Sequence, residues 1–253
     1  MTLACTHLSE LDIMLHPLAI NSDTMQSLNE RQDMDDAAVR AGFELYVWMD
    51  LSPESHGKTA IMSTHFLGRL QTAEYSSEAK QHFNGDKHLV IVPINASNHY
   101  SFAAVFVGAD EEILLMLHVD SCSLHDSIVL MKPLWDILGR QPRVSYRAPC
   151  SPKQGNIHDC GAYMLLAVKL LLKEISATEE AFVDVLIDMA GSAHDGKLFK
   201  SSVAKAFEDG KIEHVAFLTR KWFNKRQADN VRKIIANKLL DLKRILPADS
   251  ELF

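Results

Sequence analysis

The sequence predicts an α+β fold, in which helices precede a mostly antiparallel central sheet and other helices follow it. Three observations predict it: a helical apolar period before residue 50, short β-rich runs from Leu89 to Val119, and a long apolar helix beginning at Cys160.

From Met34 to Trp48 (MDDAAVRAGFELYVW) apolar residues recur at helical spacing behind an acidic first turn. A second helix is expected over about 61–70. The character changes at Leu89. LVIVPI (89–94), YSFAAVFV (100–107) and ILLMLHV (113–119) are separated by the turn segments NASN (95–98) and GADEE (108–112). They read as neighbouring antiparallel strands, the middle one buried on both faces. Ser127 to Leu138 is expected to be helical despite Pro133, and RVSYR (143–147) to be a strand. After a polar segment, CGAYMLLAVKLLLKEI (160–175) is apolar nearly all round, the mark of a buried helix. Two further helices are expected near 179–190 and 227–242. The second carries Val231, Ile234, Ile235, Ala236, Leu239 and Leu242 on one apolar stripe.

A chain of 253 residues with 47% hydrophobic residues can bury a full core, and a single domain over 1–253 is expected. Its 26 basic and 33 acidic residues give a net charge of −7, with no dense basic block, which argues against nucleic acid as partner. An acidic surface suits a basic protein partner, or is simply a solvated face. Cys5, Cys122, Cys150 and Cys160 form no C-x-x-C pair and no H-E-x-x-H occurs, so neither a metal nor a cofactor is expected. Free cysteines point to a reducing compartment. Residues 1–10 lack the basic start and apolar run of a signal peptide, and no apolar stretch reaches the ~18 residues of a membrane span. A soluble intracellular monomer, in cytoplasm or nucleus, is the expectation.

Cys160 stands where a polar loop turns into a helix. Unpaired backbone N–H groups and the positive end of the helix dipole favour a thiolate at such a place. Cysteines there also occur as inert buried residues. His99 lies at the tip of an expected hairpin, from which a side chain can project into a cleft or simply into solvent. Asp120 ends an apolar run, where a carboxylate can orient an imidazole or merely cap a turn. Taken together and in order they suit nucleophile, base and orienter. Gln154, upstream on the Cys160 loop, offers an amide donor for an oxyanion, with the Cys160 N–H as a second donor. His158 and His118 are weaker candidates, His158 because it shares the nucleophile's loop and has no evident carboxylate. Cys122 and Cys150 have no base at a recognisable spacing.

The segment QGNIHDCGAY (154–163) resembles the Q-x-N-x-x-D-C-G-x-aromatic signature of the ubiquitin-like-protein-specific proteases, with Gln154, Asn156, Asp159, Cys160, Gly161 and Tyr163 in register. VPINASNHY (92–100) resembles that family's strand, turn and His-Trp pair, and HVDS (118–121) its strand ending in Asp-Ser. DMDDAAVRAGFELY (33–46) looks like its W-L-x-D-x-x-I helix. The likeness spans about residues 28–240. It implies a papain-like cysteine protease with a mostly antiparallel sheet flanked by helices, its catalytic residues His99, Asp120 and Cys160, and Gln154 at the oxyanion. Its substrate would be a ubiquitin-like modifier and its conjugates, cleaved after Gly-Gly. Tyr100, Asp33 and Asp36 would meet the modifier. The compact size resembles the small deneddylases.

Two positions depart from the family pattern. Tyr100 and Asp33 stand where tryptophans usually form a lid over the diglycine, and Trp48 is a candidate to replace one of them. Two other activities share the scaffold. An acetyltransferase effector would typically carry Glu in place of Asp120 and a basic patch, neither of which is present. A catalytically silent modifier-binding module would not need the intact triad.

Overall fold

The computed structural model describes residues 20–29, 32–148, 152–175, 179–191, 196–212 and 216–245. Cys5, Cys150 and residues 1–10 lie outside the described residues. The helices are α1 (Ser22–Ser27), α2 (Asp36–Gly42), α3 (Pro53–Lys58), α4 (Phe66–Arg69), α5 (Ala73–His82), α6 (Ser127–Leu138), α7 (Cys160–Ile175), α8 (Glu179–Gly191), α9 (Gly196–Glu208) and α10 (Lys225–Ile245). The strands are β1 (Thr59–Ile61), β2 (Leu89–Ala96), β3 (His99–Val107), β4 (Ile113–Val119) and β5 (Val144–Arg147).

The five strands form one sheet in the order β1-β2-β3-β4-β5. The β2–β3 and β3–β4 pairings are antiparallel, as the turn signals predict. The sheet is mostly antiparallel but not purely so, because β1 joins β2 and β5 joins β4 in parallel at its two edges. Parallel partners arrive through long connections, so no local turn residue announces them. The expected helix at 61–70 is corrected: Thr59–Ile61 pairs with Leu89–Ile91, and helix is confined to Phe66–Arg69.

Alternate strand residues serve opposite faces. Leu89, Ile91, Phe102, Ala104, Leu115 and Leu117 join α2, α7, α8 and α10 in one core. Val90, Val92, Ala103, Val105, Ile113 and Met116 join Phe66, Phe83, Met131 and Leu134 in the other. Every residue of β3 is buried, because helices cover both sides of the sheet. In the hairpin before it, Ser97 and Asn98 have φ of 52° and 57°, the left-handed pair of a type I′ turn. That turn sets the register Ala96↔His99 and starts β3 on the histidine.

Helix α2, capped by the Asp35 carboxylate at Ala38 N (2.7 Å), packs against the start of α7. A Cβ at Gly161 would meet Val39 Cγ2 at 3.1 Å and Met34 at 3.3 Å. Gly161 therefore permits the 34–39 segment to press on the turn that carries Cys160. On α10 the buried stripe is Ala228, Val231, Arg232, Ile235 and Leu239, whereas Ile234 is 39% exposed. Ile234 is thus removed from the expected apolar face and Arg232 enters it.

Candidate active site

Three elements converge. The hairpin delivers His99 at the head of β3, β4 ends at Asp120, and α7 begins on Cys160. All three side chains are buried: His99 is 3%, Asp120 2% and Cys160 4% exposed. His99 Nε2 donates to Asp120 Oδ1 at 2.7 Å, and the Cys160 thiol lies near enough to act electrostatically on the ring. Because Nε2 is taken by the carboxylate, Nδ1 is the nitrogen left for sulfur.

Burial alone would lower the His99 pKa. The hydrogen bond to Asp120 and the interaction with Cys160, with the charges of both, outweigh it and push the imidazole up to about 9. Burial would likewise raise Asp120. Hydrogen bonds from His99 and from the His125 and Cys122 peptide N–H groups hold its carboxyl well below the usual carboxylate range instead. Those peptide bonds measure 2.9 Å to Oδ2 and 2.8 Å to Oδ1, so the loop after β4 wraps the carboxylate.

A second polar chain lies behind the first. His125 Nε2 faces the Ala96 carbonyl at 2.9 Å and must donate to it. Its Nδ1 then accepts from Ser101 Oγ at 2.7 Å, and Ser101 in turn accepts from His118 Nε2 at 3.1 Å. Both rings are thereby neutral, in keeping with burial, which pulls His118 down to about 4 and lowers His125. His125 also packs on His99, with ring centroids 4.8 Å apart. Among the described residues, His99, Asp120 and His125 are spaced as metal ligands could be, within 4.8 Å. Their facing atoms are already committed to hydrogen bonds, so the cluster is accounted for as a network.

Gln154 lies beside the Asp120–Ser121 corner. Its Oε1 accepts from Ser121 Oγ at 2.6 Å and its Nε2 donates to the Asn156 carbonyl at 2.8 Å. The amide's second N–H is left over. Asn156 winds the turn before Cys160: its Oδ1 accepts from His158 N (2.9 Å) and Asp159 N (3.1 Å), and its Nδ2 donates to Asp159 Oδ2 (2.6 Å).

The residues expected at the cleft wall divide. Tyr100 is buried; its hydroxyl accepts from Asn95 Nδ2 at 3.2 Å, and burial, Asp36 and Cys160 raise its pKa. Asp36 accepts from Thr64 Oγ1 and pairs with His65 Nε2 at 3.0 Å, bracing the 64–65 turn against α2. Asp33 pairs with His158 Nδ1 at 2.8 Å, linking the wall to the Cys160 loop. His158 therefore does have a carboxylate partner, which sequence reasoning missed. Trp48 stacks on His56 with ring centroids 4.5 Å apart and an interplanar angle of 3°. His118 is fully buried.

This architecture recurs among solved structures. A de-sumoylating protease is 18% identical, with 89% of this chain and 90% of that one covered and a TM-score of 0.53. The SUMO protease Ulp1 with its catalytic cysteine oxidised to a sulfinic acid is 14% identical, with 88% and 84% covered and a TM-score of 0.53. The fold is that of the SUMO proteases. Another structure with it is the Xanthomonas campestris effector protein XopD bound to ubiquitin, 16% identical, with 81% and 90% covered and a TM-score of 0.52. No family model and no curated protein matches the sequence. The SUMO-protease fold, rather than sequence identity, is what this chain shares with these structures.

Proposed function

We propose that this chain is a cysteine isopeptidase that cleaves after the C-terminal Gly-Gly of a ubiquitin-like modifier, releasing it from target proteins. The observation that carries the reading is the buried Asp120–His99–Cys160 chain, with 2.7 Å between His99 Nε2 and Asp120 Oδ1. Similar structures described as SUMO proteases support it.

In this reading the His99 imidazolium already carries the thiol proton on Nδ1, and Cys160 Sγ attacks the carbonyl of the terminal glycine. The tetrahedral oxyanion is met by the spare N–H of Gln154 and by the Cys160 N–H. Collapse breaks the C–N bond, and His99 returns the proton to the leaving lysine amine. Water, deprotonated by His99, then hydrolyses the thioester. Asp120 holds the ring in the tautomer this needs and stabilises the imidazolium. Tyr100, Asp33 and Asp36 are proposed to border the tail of the modifier. A SUMO- or NEDD-type modifier is proposed over ubiquitin, and a location in cytoplasm or nucleus is proposed with it.

The test is a panel of SUMO-, NEDD- and ubiquitin-type modifiers, each with a C-terminal extension, incubated with the protein and read by mass spectrometry. Release of a modifier ending in Gly-Gly, absent with Cys160→Ala, is expected. Binding without cleavage would make the chain a modifier-binding module. Coenzyme A-dependent acetylation without cleavage would make it an acetyltransferase.

A further inference from the structure

The turn that presents Cys160 is gripped from behind by a residue far outside the nucleophile motif. Arg232, on α10, is 1% exposed. Its Nη2 donates to the His158 carbonyl at 2.5 Å and to Asp159 Oδ1 at 3.2 Å, and its Nη1 donates to the Ser27 carbonyl at 2.8 Å. One guanidinium therefore holds the two residues that precede the nucleophile and ties them to the end of α1.

Stability is a poor explanation for such a residue. A buried ion pair rarely gains more than an apolar replacement would, because both charges lose their hydration. Here the balance is poorer still, since the buried Arg232 Nε has no hydrogen-bond partner among the described residues. A position on the buried stripe of α10, between Val231 and Ile235, would suit an aliphatic side chain for packing alone. What an aliphatic residue could not supply is a rigid, planar fork of donors.

The local turn also leaves a task unfilled. Asn156 can wind residues 156–159 into shape by itself, through its bonds to His158 N, Asp159 N and Asp159 Oδ2. It sits on the same loop, however, and cannot fix where that loop stands against the rest of the molecule. Asp159 turns one carboxylate oxygen to Asn156 and the other to Arg232, so the turn is closed by the first and anchored by the second. Lys225, at the head of α10, adds a looser contact to Asp159 Oδ2 at 3.4 Å.

We propose that Arg232 is a positioning residue for the nucleophile: by clamping the His158 carbonyl and the Asp159 carboxylate to α1 and α10, it sets the place of Cys160 relative to His99. The proposal rests on Cys160 being the nucleophile. Displacement of a reacting group by about 1 Å costs up to roughly 100-fold in rate, while a modifier bound over a wide surface would hardly register it. Loss of the clamp should therefore reduce kcat and spare KM.

The experiment measures kcat, KM and melting temperature for wild type, Cys160→Ala, Arg232→Lys, Asp159→Asn and the Arg232→Lys/Asp159→Asn pair, on a cleavable modifier fusion. Arg232→Lys keeps the charge and loses the fork. At a temperature where every variant is folded, kcat should fall about 10- to 100-fold, with KM within about twofold of wild type. The double variant should lose no more than the more impaired single one, because both act through one contact. If Arg232→Lys melts below the assay temperature, Asp159→Asn is read alone: a kcat loss of about 10-fold supports the clamp and a wild-type kcat overturns it. An active wild type with unimpaired kcat in folded Arg232→Lys, or strictly additive losses in the pair, overturns the proposal alone. An inactive wild type, or an active Cys160→Ala, overturns the nucleophile assignment and the proposal with it.

Discussion

Ser121 Oγ donates to Gln154 Oε1 at 2.6 Å, joining the exit of β4 to the Cys160 loop. With the oxygen end of the amide claimed, the N–H end is the one free to meet a developing oxyanion. Gln154→Ala should lower kcat roughly 100-fold with KM nearly unchanged. Ser121→Ala lets the amide turn over and should lose less, with no further effect once Gln154 is alanine. A rise in KM at constant kcat would move Gln154 to a binding role.

Asp120 accepts from His99, from Cys122 N and from His125 N, and an asparagine has only one accepting oxygen. Asp120→Asn should therefore do two things. It should reduce kcat by about 10⁴-fold, through the wrong tautomer and the lost charge. It should also lower the melting temperature, because one buried peptide N–H loses its acceptor at a cost of roughly 1–3 kcal/mol. An unchanged melting temperature would mean that the loop re-forms its bonds without the second oxygen.

The imidazole of His99, raised to about 9, gives stability a definite pH dependence. Between its unfolded value of about 6.5 and its folded value, the folded chain binds more protons than the unfolded one. The contribution is complete below about pH 6.5 and is lost as pH rises through 9. The melting-temperature gap between wild type and His99→Ala should thus be wider at pH 6 than at pH 9. An equal gap at both would show that the ring is not held as the imidazolium.

Asp33 and His158 meet at 2.8 Å, with their side chains 67% and 33% exposed. An exposed pair of this kind contributes about 0–1 kcal/mol, so Asp33→Asn should barely move the melting temperature. Asp33→Trp replaces the polar link with an apolar wall. It should raise turnover of a Gly-Gly substrate or sharpen rejection of an Ala-ending one. No change in either would mean that other residues close over the tail.

The sequence is most legible where local pattern and burial agree. Cys160–Ile175 is apolar nearly all round because most of it lies in the core, and its run length leaves no alternative to helix. Ser127–Leu138 forms despite Pro133, since Asp126 caps it and its buried face packs Met131, Leu134 and Trp135. Strand β5 was readable in RVSYR, but its parallel pairing, like β1 itself, arises across a long connection that leaves no local mark. Helix α5 (AEYSSEAKQH) was not foreseen, being too polar to show a period. At the site, the residues that approach one another through chain order and turn position were readable. Ser121, His125 and Arg232 act through contacts that only the fold creates. A signal for Arg232 did exist: a cation set within an apolar helical stripe.

The covalent capture of Cys160 by a modifier tail is the most direct measurement. The protein is incubated with full-length ubiquitin, SUMO and NEDD-type modifiers carrying a C-terminal electrophile, and the adduct is read by mass. At least one should label the protein, the SUMO- or NEDD-type probe faster than ubiquitin. Cys160→Ala should abolish the adduct and Cys122→Ala leave it intact, while a bare diglycine probe, lacking the folded surface that supplies binding energy, should label far more slowly. An adduct that survives Cys160→Ala, or no adduct with any modifier, would contradict the assignment of Cys160 as the nucleophile of a modifier protease.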